Sequence, residues 1–303
     1  MIIVLVVFLQ SFLFALFHLN IRKLEEKGVS AHSIAGLQRY SIIPAIILFA
    51  ISYKTEYVST LFAHPVALWW IIGIGFFWGI GQFMGYIVLN SASSLSFVYT
   101  IAAFLEIPIY LAMGILINHD YPNLSVLIAL GLLIIALIIK PTQNKENKRN
   151  LLKYSVIVVS AFMLSSIIGH AFDGAFYKNI LHLLNPQTVI FGISIYILVT
   201  SLTLNIIYLL PIFKKPSLEE KEIIKKNFWI AYLIPIIWFV ASLPEGYGFA
   251  NLPLFTLTAL GAFSFLIKMI SDLKNKRLTW NTRTAIFTFI VVLSIVFSTL
   301  SLR

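Results

Sequence analysis

Apolar residues run along the chain in ten long stretches separated by short polar ones. They cover residues 2–20, 33–53, 68–89, 95–117, 124–139, 154–177, 188–210, 228–243, 252–271 and 282–300. Each is a continuous run rather than an alternation, which predicts helices and not the dyad-repeat strands of a barrel. Most approach the roughly 20 residues a helix needs to cross hydrocarbon; the eighth is short. The pattern therefore predicts an all-α polytopic membrane protein with ten transmembrane helices. The first stretch lacks a basic leader and a small-residue cleavage motif, so it reads as a retained helix.

Charge then orients the spans. Arg22, Lys23 and Lys27 follow span 1, and Lys140, Lys145, Lys148, Arg149 and Lys153 follow span 5. Lys214, Lys215, Lys221, Lys225 and Lys226 follow span 7, and Lys268, Lys274, Lys276, Arg277 and Arg283 flank the turn after span 9. Of 22 basic residues, only Lys54, Lys178 and Arg303 fall on the other side, with Arg39 inside span 2. Loops kept in the cytoplasm are enriched in Lys and Arg, so both termini are expected outside a cytoplasmic membrane.

The polar segment PTQNKENKRN, residues 141–150, lies near the middle of the chain. It divides a first half, residues 1–140, from a second, residues 154–303, across a basic linker, residues 141–153. Five spans per half is an odd number, so the halves are expected to be inverted relative to each other. Transporters commonly use that plan, with the site near the midplane between halves. In the loop after span 7, Ser217 and Glu220 make an S-x-x-E capping box, predicting a short amphipathic helix over residues 218–227 on the basic side.

Composition agrees with a lipid environment: 59% hydrophobic and 11% charged, against about 25% charged in soluble domains. The net charge of +10 sits beside the spans, where it attracts anionic lipid rather than nucleic acid. With no cysteine, disulfides and thiolate metal sites are excluded. No cofactor motif is present, and no HExxH, P-loop or GxSxG.

Polar groups inside spans are costly unless they pair or line water. Glu106 lies midway along span 4, and Tyr99 and Tyr110 share its helix face at i−7 and i+4. Pro108 has no N–H and crowds the carbonyl of Phe104, loosening the helix beside that carboxyl. Such a carboxyl suits a proton site; the alternative is a permanently neutral Glu bonded to a tyrosine. Arg39 lies about 9 Å inside span 2. It needs water, a carboxylate or an anionic solute, or else it snorkels. Lys268 in span 9 is expected to snorkel, and His18 to lie at the interface. Span 3 carries Gly75–Gly79 and Gly81–Gly85 as two GxxxG pairs, which read as packing and would set Gln82 and Tyr86 against a partner helix or cavity. His170 and Asp173 near the end of span 6 read as a gate or relay, or as a satisfied interfacial pair. In short span 8, Pro235 and Trp238 suggest a discontinuous helix lining a site. Pro44 in span 2 marks a kink.

Two segments carry a family resemblance. NIRKLEEKGVSAHSIAGLQRY (Asn20–Tyr40) and GYIVLNSASSLSFVYTIAAFLEIP (Gly85–Pro108) resemble the span 1–2 and span 3–4 regions of the drug/metabolite transporter superfamily, in its ten-helix EamA-like branch. The resemblance implies secondary transport of a small metabolite or drug-like solute by alternating access, with spans 3, 4, 8 and 9 as core walls. Glu106 would be the coupling proton site of an exporter, and Arg39 a ligand for an anionic group. The charge pattern here orients the chain opposite to many such proteins. Two other classes stay open: a membrane enzyme acting on lipid-linked substrates through His170 and Asp173 or His119 and Asp120, and a non-transporting scaffold or receptor.

Overall fold

A computed structural model describes residues 2–91, 107–116, 119–139, 186–210, 215–276 and 278–300. All regular structure among them is helical. In chain order the helices are α1 (Ile2–Glu25), α2 (Ala31–Gln38), α3 (Ile42–Ser52), α4 (Thr55–Ala63) and α5 (Pro65–Ser91). They continue with α6 (Ile107–Leu116), α7 (Leu124–Ile139), α8 (Pro186–Leu209), α9 (Leu218–Lys226) and α10 (Phe228–Asn251). The last three are α11 (Leu254–Gly261), α12 (Phe263–Lys274) and α13 (Thr282–Leu300). A 3-10 turn, Arg39–Ser41, joins α2 to α3.

Four segments are long and apolar enough to cross a membrane: Ile2–Glu25, His32–Ser52, Ile190–Leu209 and Thr282–Leu300. Two sharply bent pairs, α4 with α5 at 99° and α9 with α10 at 81°, bring the number to as many as six among the described residues if each pair counts as one span. The bend before α5 falls at His64–Pro65, where a proline at the first helical position lacks only an N–H that would be unpaired anyway. Large apolar side chains such as Leu5, Ile47 and Phe289 face outward, as helices solvated by lipid require.

α7 and α13 coincide with stretches 124–139 and 282–300, and α5 and α8 match stretches 68–89 and 188–210 to within three residues. Stretch 2 carries the 3-10 turn, and stretches 8 and 9 differ from expectation. Stretch 8 is not short: α10 runs unbroken from Phe228 to Asn251, through Pro235 and Pro244. A proline removes one helical hydrogen bond and bends the axis, but packing holds the helix together, and Pro235 is buried. Stretch 9 is divided instead, at Ala262, where α11 gives way to α12 just after Gly261, a weak helix former. Stretch 6 and most of stretch 4 lie outside the described residues.

Helix α8 is the central member. It packs along α5 and α3, while α1 packs on α10 and α7 on α13. Chain directions follow from the contacts. Ser41 meets Ser201 and Ser52 meets Ser194, so α3 and α8 run antiparallel. Gly75 faces Tyr196 and Val199, and Gly79 faces Thr200 and Thr203, so α5 and α8 run parallel. A Cβ on Gly75 would stand 2.8 Å from the Tyr196 carbonyl oxygen, and one on Gly79 2.6 Å from Thr203 Cβ. These glycines are there because two helix backbones touch.

One core joins α1, α2, α3, α5, α8 and α10 around Phe17, Ile34, Phe191 and Trp238. A second joins α7, α11, α12 and α13 around Leu133, Phe265 and Val291. At one end of the bundle, called here the basic end, the α1–α2 connection meets α9. Lys27 Nζ donates to Asn227 Oδ1, and the Ser30 N–H donates to Glu220 Oε1 at 2.8 Å. The basic loops after spans 1 and 7 therefore share a face, as their charge predicts.

Candidate functional site

The span 2 interruption is built by Pro44. It cannot donate to the Tyr40 carbonyl, and its ring crowds that carbonyl. The chain tightens one turn earlier, and the Ile42 N–H bonds to Arg39 and Tyr40 oxygens instead. Asn205 on α8 answers the disturbed backbone: its Nδ2 donates to the Arg39 carbonyl at 3.2 Å and to the Ser201 carbonyl at 2.8 Å. Ser41 Oγ and Ser201 Oγ close the seam at 2.7 Å.

Arg39 is half-buried at this turn. Its Nη2 donates to Tyr40 Oη at 3.0 Å. Its guanidinium carbon sits 4.1 Å from the Tyr208 ring centroid and 4.9 Å from that of Tyr40. Gly36 makes room for Tyr208, since a Cβ there would lie 2.6 Å from the ring. Aromatic faces stabilise a cation by about 0.5–2 kcal/mol without neutralising it. Arg39's contacts among the described residues are with neutral groups, so most of its donor fork stays available to an anion.

Gln38, the residue before, is fully buried. Neither its amide nitrogen nor its amide oxygen has a hydrogen-bond partner among the described residues. Leaving such a group unpaired costs about 1–3 kcal/mol. Gln38 carries no motif that marks it in the sequence. The rule that any polar group inside a predicted span is a candidate would have found it.

The other expected residues fall as follows. Tyr110 and Trp238 are both buried and belong to the same core as α2 and α8. Trp238 is core on a continuous helix, with Ser242 Oγ donating to its carbonyl. Pro235 is buried in α10, and Pro108 is exposed in the first described turn of α6. Gln82 and Tyr86 lie on α5, with side chains outside what the structure describes. Glu106, Tyr99, His170 and Asp173 lie outside the described residues. His119 and Asp120 stand at the α6–α7 turn, His119 exposed with φ 54° and the Asp120 N–H bonded to the Gly114 carbonyl. Lys268 does not snorkel: it is 2% exposed, with Asp272 one turn on fully buried. His18 on α1 lies within electrostatic reach of Lys268. The tight α1–α12 packing encloses the ammonium before it can reach the basic end. Among the described residues, no three His, Cys, Asp or Glu side chains are placed to hold a metal.

The fold and this seam define an all-helical protein with several membrane-spanning candidates and a polar centre where span 2 is interrupted. No protein-family model matches the chain, and no curated protein matches it. Solved structures do share its fold. One crystal structure of a protein superposes over 98% of this chain and 97% of its own, with TM-score 0.60 and 15% identity. At that identity the likeness concerns architecture alone.

Proposed function

We propose that this chain is a ten-helix secondary transporter of the drug/metabolite type, built from two inverted halves and moving a small solute with an anionic group across the cytoplasmic membrane. The observation that carries the reading is the polar centre on the span 2–7 seam. A cation held by two tyrosines, Arg39, follows in the chain a buried amide, Gln38, whose hydrogen-bonding atoms have no partner among the described residues. A carboxylate or phosphate would take the Arg39 fork, and a neighbouring amide or hydroxyl the Gln38 group.

The helix contacts support the two-half plan. Exchange of each span with the one five places on maps the 2–7 seam onto itself, and likewise the 5–10 seam. It maps the 3–7 contact onto 8–2. Contacts of all these kinds are made: α3 with α8, α7 with α13, α5 with α8, and α10 with α2. Inversion also requires spans 2 and 7 to run antiparallel, as α3 and α8 do. The 3-10 turn inside span 2 is of the kind that often marks a functional hinge in a helix. Coupling to protons through Glu106 remains part of the proposal on sequence grounds.

The test is flux in proteoliposomes with a panel of anionic, zwitterionic and cationic solutes of similar size. Protein-dependent flux of anionic members, reduced at least tenfold by Arg39→Gln, is expected. Flux of no solute above protein-free liposomes overturns the transporter reading. Flux confined to cations overturns the assignment of Arg39.

A further inference from the structure

The basic end carries a second device, on α9. This nine-residue helix packs Ile223 and Ile224 against the first core and turns its charges outward. Two polar ties fasten it across the α1–α2 connection. At its start, Glu220 accepts from the Ser217 N–H through Oε2 at 2.7 Å and from the Ser30 N–H through Oε1 at 2.8 Å. At its end, Asn227 accepts from Lys27.

The Glu220 arrangement is unusual in what it joins. Ser217 is the N-cap of α9, and Ser30 is the N-cap of α2, its own Oγ accepting the Ser33 N–H. One carboxylate therefore serves the amino ends of two helices distant in sequence, Glu220 lying 190 residues from Ser30. Both ends carry partial positive charge, so both favour the anion at the same point. Burial raises the Glu220 pKa, but hydrogen bonds from Ser30, Ser217 and Ser33 outweigh it and bring it down to about 2. The carboxylate stays ionised at any ordinary pH.

The consequence lies along α2. This helix is eight residues long, from Ala31 to Gln38, and leads straight into the 3-10 turn with Arg39 and Ser41. Its amino end is tied to α9, which continues through Asn227 into α10. Its carboxyl end carries the polar centre about 12 Å away at 1.5 Å per residue.

We propose that α9 is a strap across the basic end and Glu220 its latch, so that release of Glu220 from Ser30 frees α2 and opens the Gln38–Ser41 centre to that side. The role as a gate rests on the transporter reading; the mechanical coupling does not.

The natural absence of cysteine makes the test direct. Ser41 is fully buried, and a Ser41→Cys variant of the full chain in nanodiscs reports access through its reaction rate with a charged thiol reagent. Adding Glu220→Ala removes the charge-assisted bonds to Ser30 and Ser217 and is expected to speed the reaction about tenfold or more. Glu220→Gln, which keeps one acceptor, falls between. A second variant guards against misfolding: a Ser30→Cys/Glu220→Cys pair, compared oxidised and reduced in the same preparation by hydrogen exchange of α2. Oxidation is expected to protect α2, and reduction to expose it reversibly. Equal exchange in both forms, or equal labelling with and without the Glu220 carboxylate, overturns the latch. Faster labelling in a protein that moves no solute would keep the latch and sink the transporter reading instead.

Discussion

The α3–α8 seam and the α7–α13 seam are both helix pairs in a bundle, yet they are held by different forces. Between α7 and α13 the contact is mainly apolar: Ala129, Leu133 and Ala136 share a core with Phe287, Val291 and Ile295. Ser294 Oγ donates to the Ala129 carbonyl across it at 2.8 Å. Between α3 and α8 the contact is laced with hydroxyls and amides: Ser41 on Ser201, Ser52 on Ser194, Asn205 on the Arg39 backbone. An apolar, close-packed seam has one good arrangement and resists displacement. A seam of short polar side chains can trade one set of hydrogen bonds for another. On the transporter proposal, the difference suits the α7–α13 pair to a scaffold role and the α3–α8 pair to the part that changes.

That contrast can be broken in graded ways. The largest effect is expected where α5 backs the polar seam. Gly75→Leu drives a side chain into the Tyr196 carbonyl and should exceed the ~1–3 kcal/mol of ordinary overpacking, abolishing the folded peak in size-exclusion chromatography. Next comes the apolar seam. Leu133→Ala leaves a cavity costing about 2–5 kcal/mol, read as a lower thermal midpoint, with solute flux per folded molecule retained. The polar seam should show the reverse balance. Ser201→Ala strands the Ser41 hydroxyl at a cost of about 0.6–2 kcal/mol, and the Ser41→Ala/Ser201→Ala double variant should recover much of it. Both should alter flux more than stability.

The smallest effect is acidic. Glu220 has a folded pKa near 2 against an ordinary 4.5. Its contribution to stability is therefore complete above about pH 4.5 and lost as pH falls toward 2. Unfolding midpoints of the parent and Glu220→Gln should differ at pH 6 and converge near pH 2. A constant difference across that range would remove the carboxylate from the account.

Much of the helix plan could be read from residues alone, for physical reasons. Continuous apolar runs have one stable form in lipid, so stretches 124–139 and 282–300 became helices with those bounds. Lys27 and Asn227 touch because basic loops stay on one face. The Ser217 capping box formed as its spacing demands. Interruptions were harder. Pro235 promised a break that α10 does not have, while Pro44 tightened span 2 into a 3-10 turn just upstream, because surrounding packing decides whether a missing hydrogen bond bends a helix or tightens it. Gln38 escaped notice because burial is a property of neighbours. Lys268 was misjudged for the same reason: a long side chain snorkels only where its neighbours leave a path.

The central claim is that the span 2–7 seam holds an anionic solute at Arg39 beside Gln38. Proteoliposome uptake of the best anionic substrate from the solute panel, compared across the parent, Arg39→Lys, Arg39→Gln and Gln38→Leu, tests it most directly. The account predicts a large loss for Arg39→Gln, partial retention for Arg39→Lys, and a raised half-saturation concentration for Gln38→Leu. Undiminished uptake by folded Arg39→Gln and Gln38→Leu proteins would contradict it.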